Sequence, residues 1–151
     1  MPHYHRILVP FDGSAPARDA LREALRLASA SGGHVRLLHV LELMDHVPPE
    51  GESLTAALRS ARSAAMALLR DGTAACAAAG VEHDARVVED LGRRLGDAVD
   101  EEARAWKADI VVAGSHGRRG LGRLLLGSGA EQVVRHASTP VLVVKPTAAR
   151  A

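Results

Sequence analysis

A glycine-rich segment with one histidine and several arginines could bind an anion through its backbone. Residues 114–129 contain six glycines, although glycine is costly to order unless the backbone must approach something closely. The segment ends at residues 127–129, the predicted start of a helix, where free N–H groups and the positive end of the helix dipole attract phosphate. The sequence therefore predicts an anion site, and the alternative is a surface loop with solvated arginines. Three arginines add charge that suits phosphate: Arg118, Arg119 and Arg123.

Asp12-Gly13-Ser14 is a second polar group, and it directly follows the apolar run at residues 6–11. It places a carboxylate and a hydroxyl at a predicted strand-to-helix turn. Such turns often serve only as an Asx-turn and a helix cap. We expect Ser14 to be a helix cap.

The residues present exclude two common phosphate-binding loops. A P-loop needs Gly-Lys-Ser or Gly-Lys-Thr after the first strand, whereas the lysines of this chain are Lys107 and Lys145. A dinucleotide-binding fingerprint would put several glycines after that strand, where only Gly13 lies.

Metal and redox sites are not predicted. The eight histidines include no pair at the i, i+4 spacing of a helical zinc site, and Cys76 is the sole cysteine. We expect no metal site and no disulfide, and we expect Cys76 to be a small core residue.

Strands and helices alternate along the chain and must position these groups. Runs rich in β-branched residues predict strands over residues 6–11, 34–41, 84–89, 109–113 and 140–144. Amphipathic stretches predict helices over residues 15–31, 54–80, 93–107 and 128–136. The predicted inner face of the second helix consists of Leu54, Leu58, Ala61, Ala65 and Leu68.

This alternation predicts one α/β domain over residues 1–146, a Rossmann-like three-layer sandwich with a parallel sheet between two layers of helices. Residues 147–151 are expected to form a frayed tail. In such sheets, ligands bind outside the carboxyl ends of the strands. The polar groups that follow the first and fourth strands would therefore meet at one edge.

Composition limits the classes of function. The chain has 151 residues, of which 47% are hydrophobic and 25% are charged, and this fits one globular domain. Its 19 basic and 18 acidic residues, with one Trp, one Tyr and one Phe, provide neither the basic excess nor the stacking surface of a nucleic-acid-binding protein. No stretch reaches the ~20 apolar residues of a membrane span. We expect a cytoplasmic protein with no nucleic-acid or membrane partner.

Several short runs, spread over residues 5–146, carry a resemblance to a known family. The runs are Ile7-Leu8-Val9-Pro10, Asp12-Gly13-Ser14, Leu38-His39-Val40, Gly114-Ser115-His116-Gly117, Leu125-Leu126-Gly127-Ser128 and Thr139 to Val144. With them the whole chain resembles the universal stress protein family. The nucleotide-binding branch of that family has Gly, two residues, Gly, nine residues, Gly and then Ser or Thr. This spacing is matched by Gly114, Gly117, Gly127 and Ser128.

The resemblance implies a sheet of order 3-2-1-4-5 and a nucleotide pocket built from four parts. The Val40 backbone would bind the adenine edge with Pro10 nearby, and Asp12 would lie near the ribose and a metal-bound water. Residues 114–117 would pass under the ribose and phosphates, and the amides of residues 127–129 would hold the phosphate tail. Gly129 and Phe11 depart from the residues often found in the family. The implied nucleotide-binding residues are Pro10, Asp12, Val40, Gly114, Ser115, His116, Gly117, Arg118, Gly127, Ser128 and Gly129.

The resemblance also implies a regulatory protein of the stress response that binds ATP, optionally with Mg²⁺, and that is at most a weak ATPase. Protein partners are not identified by the sequence. The predicted last strand, residues 140–144, has no charge that would prevent edge pairing, so we expect a homodimer through it. Two alternatives remain open: a dimeric interaction module that binds no nucleotide, and an enzyme that transfers phosphoryl or adenylyl groups.

Overall fold

The computed structural model describes residues 3–42, 48–90, 92–116 and 126–146. Within them, five strands alternate with four helices, as predicted, and the predicted ends differ by one or two residues. The elements are β1 (Arg6–Pro10), α1 (Ala15–Ser31), β2 (His34–Glu42), α2 (Leu54–Ala78), β3 (Glu82–Asp90), α3 (Leu95–Trp106), β4 (Ile110–Gly114), α4 (Ser128–His136) and β5 (Val141–Val144).

The strands form one parallel sheet in the order β3-β2-β1-β4-β5, which confirms the expected topology. Register pairs Pro10 with Leu38 on one side of β1 and Ile7 with Ile110 on the other. The order reverses at β1, so the carboxyl ends of β1, β2 and β4 border one crevice. No helix among the described residues is long and apolar enough to cross a membrane.

The core has two halves because successive side chains of a strand point to opposite faces. On β1, Ile7 and Val9 pack with the residues of α1 and α2, whereas Leu8 packs with those of α3 and α4. Helix α1 buries a stripe of mostly alanine, which lets it lie close to the sheet. The buried residues of α1 are Ala17, Ala20, Leu21, Ala24 and Ala28.

The predicted inner face of α2 is confirmed at Ala65, which is buried, and at Leu68, which packs against the core, but not at the first turn of the helix. Its Leu54 is 56% exposed, and the buried residues are Ala65, Leu69, Gly72 and Cys76. Gly72 lies on the same face nearer the carboxyl end of the helix, where a Cβ would lie 2.5 Å from Cδ1 of Leu37 on β2. The predicted burial of Cys76 is confirmed, and desolvation raises the pKa of its thiol to about 11.

A charged cluster ties β2 and β3 to α3. The guanidinium of Arg36 donates to both carboxylate oxygens of Asp84, each at 2.7 Å, and to Glu102 at 3.0 Å. It also lies 4.5 Å from the ring centroid of Trp106. Glu102 is only 7% exposed, so its charge depends on these donors.

Replacing Arg36 with methionine should destabilise the protein by about 3–5 kcal/mol, because the change leaves the Glu102 carboxylate buried with fewer donors. Arg86→Met is the matched control, since Arg86 also donates to Glu102 but its side chain is 53% exposed. The control should cost about 1 kcal/mol or less. Urea denaturation at neutral pH measures both free energies of unfolding. Equal losses of stability in the two variants would contradict the view that Arg36 is the main partner of the Glu102 carboxylate.

Acid should weaken the same cluster. Hydrogen bonds from Arg36 hold the pKa of Asp84 below its ordinary value of 3.8, although partial burial opposes the shift. A lowered folded-state pKa stabilises the fold fully above the unfolded value, and the contribution is lost as the pH falls through the folded value. The wild-type advantage over Arg36→Met should therefore shrink below about pH 4. A constant difference in urea denaturation from pH 6 into that acid range would refute this role of Asp84.

Candidate functional site

A cleft of about 950 Å³ opens at the carboxyl ends of β1, β2 and β4. Helix α2 forms one wall, and the starts of α1 and α4 form the floor and the opposite wall. Eight of the predicted site residues that the structure describes line it: Pro10, Asp12, Val40, Gly114, His116, Gly127, Ser128 and Gly129.

Asp12, Gly13 and Ser14 form the turn between β1 and α1. Oδ1 of Asp12 accepts a hydrogen bond from the Ser14 amide at 2.9 Å, and Oγ of Ser14 accepts one from the Ala17 amide at 3.3 Å. Gly13 has a φ of 77°, a conformation that favours glycine. The predicted cap at Ser14 is confirmed, and the turn holds the Asp12 carboxylate at the cleft.

The first turn of α4 provides backbone donors. The first helical bond runs from the Glu131 amide to the Gly127 carbonyl at 2.9 Å, and no side chain of the described residues caps this end. The amides of Ser128, Gly129 and Ala130 therefore precede the helical bonding pattern. Such a helix end favours an anion.

Gly127 has a different role from the one expected for its amide. That amide donates to the Ser115 carbonyl at 2.7 Å, and this bond fixes the start of α4 to the end of β4. The amide is therefore engaged within the protein, and the amides that remain at the start of α4 are those of Ser128, Gly129 and Ala130.

Gly114 is required by packing. A Cβ at this position would lie 2.6 Å from the Pro16 carbonyl oxygen and 2.7 Å from the Pro16 carbonyl carbon. The end of β4 thus presses against the first turn of α1. The glycine brings two walls of the cleft together, whether or not a ligand is bound.

Ser115 and His116 form a hydrogen-bonded pair beside the cleft. Oγ of Ser115 lies 3.0 Å from Nδ1 of His116, and Ser115 is 3% exposed. Nε2 of His116 is buried and has no hydrogen-bond partner among the described residues. Because Ser115 is buried, its hydroxyl cannot reach a substrate as a nucleophile.

The Val40 backbone faces the cleft because β1 ends before it. The Phe11 amide donates to the Leu38 carbonyl at 2.8 Å, so the backbone groups of Leu38 point toward β1. In a parallel ladder these directions alternate from residue to residue, and those of Val40 therefore point to the same side. On that side of β2 the cleft begins beyond Pro10 and Phe11, and Val40 lines it.

Sequence reasoning missed Gln132, Asp71 and the alanines of α2 that line the cleft. Oε1 of Gln132 accepts from the Gly96 amide at 3.3 Å and so links α4 to the start of α3. Gln132 could have been found by helix geometry, because it lies four residues after Ser128 on the same face. Ala61 and Ala65 lie on the predicted inner face of α2, and the structure adds that this face also borders the cleft.

Gly117 and Arg118 lie outside the described residues, as do Arg119 and Arg123. Within the described part of the chain, the carboxylates that line the cleft are those of Asp12, Glu42 and Asp71. No group of three His, Cys, Asp or Glu side chains in that part is placed to hold a metal ion. The arrangement is suited to binding through backbone donors.

Comparison with known proteins assigns the family. Residues 3–145 match the Universal stress protein family, and the chain belongs to it. Universal stress protein MJ0531 of Methanocaldococcus jannaschii is 32% identical over 146 residues, covering 94% of this chain and 82% of that protein. The solved structure of protein MJ0577 has a TM-score of 0.84 at 26% identity, covering 97% of this chain and 99% of that one. A universal stress protein in complex with cAMP has a TM-score of 0.71 at 26% identity, covering 97% and 100%.

Gly114→Ala should destabilise the protein by about 1–3 kcal/mol, because the new methyl group would meet the Pro16 backbone. Gly129→Ala is the matched control, since its Cβ would meet only Cδ2 of Leu95 at 3.2 Å, the end of a flexible side chain. The control should change stability by about 0.5 kcal/mol or less. Urea denaturation of both variants measures the difference, and an unaffected Gly114→Ala would show that the β4–α1 contact is not tight.

Proposed function

We propose that this protein is a regulatory protein that binds ATP in the cleft and has little or no catalytic activity. The observation that carries the proposal is the pair of backbone donor sites at opposite ends of one cleft. Three amides open α4 at one end, and Val40 lies at the other. A ligand with a base and a phosphate chain would satisfy both ends.

Adenine suits the Val40 end. Val40 offers one N–H donor and one C=O acceptor on the same side of its strand. The adenine edge offers the complementary pair, an acceptor at N1 and a donor at the 6-amino group. Guanine and hypoxanthine present the reverse pair and would leave polar groups unpaired in the cleft, which is costly.

Phosphate suits the α4 end of the cleft because the free amides and the positive end of the helix dipole both attract its negative charge. The Asp12 carboxylate suits a Mg²⁺ ion that the triphosphate carries, since nucleotide-bound Mg²⁺ is held by one or two carboxylates, waters and phosphate oxygens. The related protein in complex with cAMP supports an adenine nucleotide as the ligand class.

Binding without efficient turnover follows from the groups in the cleft. Ser115 is buried, and Nδ1 of His116 is engaged with its hydroxyl. General-base catalysis needs a base held within reach of a water or hydroxyl, and Oδ1 of Asp12 already accepts a hydrogen bond from the Ser14 amide. We propose at most a weak ATPase, in a stress-response role. The cytoplasmic location stays a prediction.

Gly127→Val should weaken ATP binding about 100-fold or more, because a branched side chain beside the α4 amides blocks several charge-assisted hydrogen bonds, each worth about 1.5–3 kcal/mol. Gly127 has a φ of −61°, so valine fits the backbone there. His116→Ala removes one side chain and should cost less than about tenfold. Calorimetric titration with ATP measures all three proteins, with circular dichroism as the check on folding.

Equal ATP affinity in the wild type and a folded Gly127→Val variant would refute the phosphate position. An absence of measurable ATP affinity in the wild type would favour the nucleotide-free interaction module instead. Turnover with an added acceptor would favour a transferase.

We also propose a two-fold dimer through β5, the strand at one edge of the sheet. Its residues Val141–Val144 are only partly buried and carry no charge, and such an edge pairs readily with a second copy.

Val143→Lys should shift the protein toward monomer, because a charge on the edge strand opposes strand pairing. Leu142 and Val144 pack against the core, so Val143 is the better position to change. Val134→Lys on α4, at a residue that is 45% exposed, is the control and should leave the assembly unchanged. Sedimentation at micromolar concentration measures both, and a monomeric wild type would rule out the dimer.

A further inference from the structure

The backbone hydrogen bonds between β1 and β2 end one bond earlier than the strand register would allow. Pro10 pairs with Leu38, and the Phe11 amide donates to the Leu38 carbonyl at 2.8 Å. In a regular parallel ladder the next bond would run from the Val40 amide to the Phe11 carbonyl. Among the described residues, no backbone hydrogen bond of that kind is formed.

The side chain of His39 bonds to the Phe11 carbonyl instead. Nδ1 of His39 lies 2.8 Å from the Phe11 carbonyl oxygen. A carbonyl oxygen can only accept, so Nδ1 carries the hydrogen and donates it. His39 lines the cleft and adjoins Val40 in sequence.

We infer that His39 is a positioning residue that occupies the Phe11 carbonyl and thereby leaves the Val40 N–H available to a ligand. Without the imidazole, that carbonyl would need another donor, and the Val40 amide is the donor that a regular ladder would provide. The inference rests on the proposed function in one respect, because it is the adenine N1 that would use the free N–H. The state of this amide in the ligand-free protein is independent of that assumption.

The inference also identifies what His39 contributes to specificity. A free Val40 N–H selects a base that has an acceptor beside its exocyclic donor, as adenine does at N1. An N–H paired with Phe11 would offer no such selection, and Val40 would present only its carbonyl. His39 would thus determine recognition of the base without touching the nucleotide through Nδ1.

Two substitutions distinguish the effect of the Nδ1 hydrogen-bond donor of His39 from the effect of the size of its side chain. His39→Leu removes the donor but keeps an apolar side chain of moderate size. His39→Asn places an amide nitrogen at the position of Nδ1 and can donate to the Phe11 carbonyl, so it should restore the wild-type behaviour.

Amide hydrogen exchange, followed by NMR in the ligand-free proteins, tests the inference directly. The Val40 amide should exchange at least about 100-fold faster than the amides paired within β2 in the wild type and in His39→Asn, since it has no backbone partner in the described part of the chain. In His39→Leu it should become protected by about tenfold or more as it pairs with Phe11. A protected Val40 amide in the wild type would overturn the inference even if the leucine variant failed to fold.

Calorimetric titration with ATP and 1-deaza-ATP tests the link to the base, because the analogue has carbon in place of N1. The wild type and His39→Asn should prefer ATP by about tenfold, the value of one hydrogen bond, and His39→Leu should bind both ligands equally. The same preference in all three proteins would overturn the role of His39. A wild type that binds neither nucleotide would refute the proposed function, while the exchange data would still decide how His39 acts on Val40.

Discussion

The first turn of α4 carries three backbone N–H groups that have no carbonyl partner within the helix. The geometry of the cleft depends on holding that turn at the edge of the sheet. Amides at a helix start bind an anion well only if they are fixed before the anion arrives. The bond from the Gly127 amide to the Ser115 carbonyl provides this fixation. It joins α4 directly to the end of β4, so the position of the donors follows from the position of the sheet.

Close backbone approaches support the same arrangement. Gly96 on α3 lies against α4, where a Cβ would be 2.5 Å from the Gln132 carbonyl oxygen. Gly114 plays the equivalent part between β4 and α1, and Gly72 between α2 and β2. Interiors are packed closely enough that a methyl group added at Gly96 or Gly114 would move an element, whereas one added at Gly72 would first displace the end of the Leu37 side chain. Three glycines outside the first turn of α4 therefore determine the shape of the cleft.

Much of this could be predicted from the sequence because its signals are local. The β-branched runs, the cap at Ser14 and the strand–helix alternation specify elements and topology without any long-range information. The start of α4 was likewise predictable, because Gly127-Ser128-Gly129 combines a helix start with small residues. The direction of the Val40 backbone required the register between β1 and β2, which only the structure provides.

Other features could not be predicted because they depend on packing across the sheet. Leu54 is exposed although Ala65 on the same face of α2 is buried, because exposure at the first turn depends on where that turn lies relative to the sheet, which helical periodicity does not give. Gly114 predicts a close backbone approach, and the structure shows that the neighbour it approaches is the Pro16 backbone. Composition cannot distinguish a glycine that approaches a ligand from one that approaches another helix.

The measurement that tests this account most directly is an NMR titration of the ¹⁵N-labelled wild type with ATP, with backbone amide shifts followed residue by residue. The account predicts the largest shifts at both ends of the cleft, at Val40 and at Ser128 to Ala130, while the Gly127 amide keeps its bond to Ser115 and stays slow to exchange. Shifts confined to surfaces away from the cleft, or loss of the Gly127–Ser115 bond on binding, would contradict it.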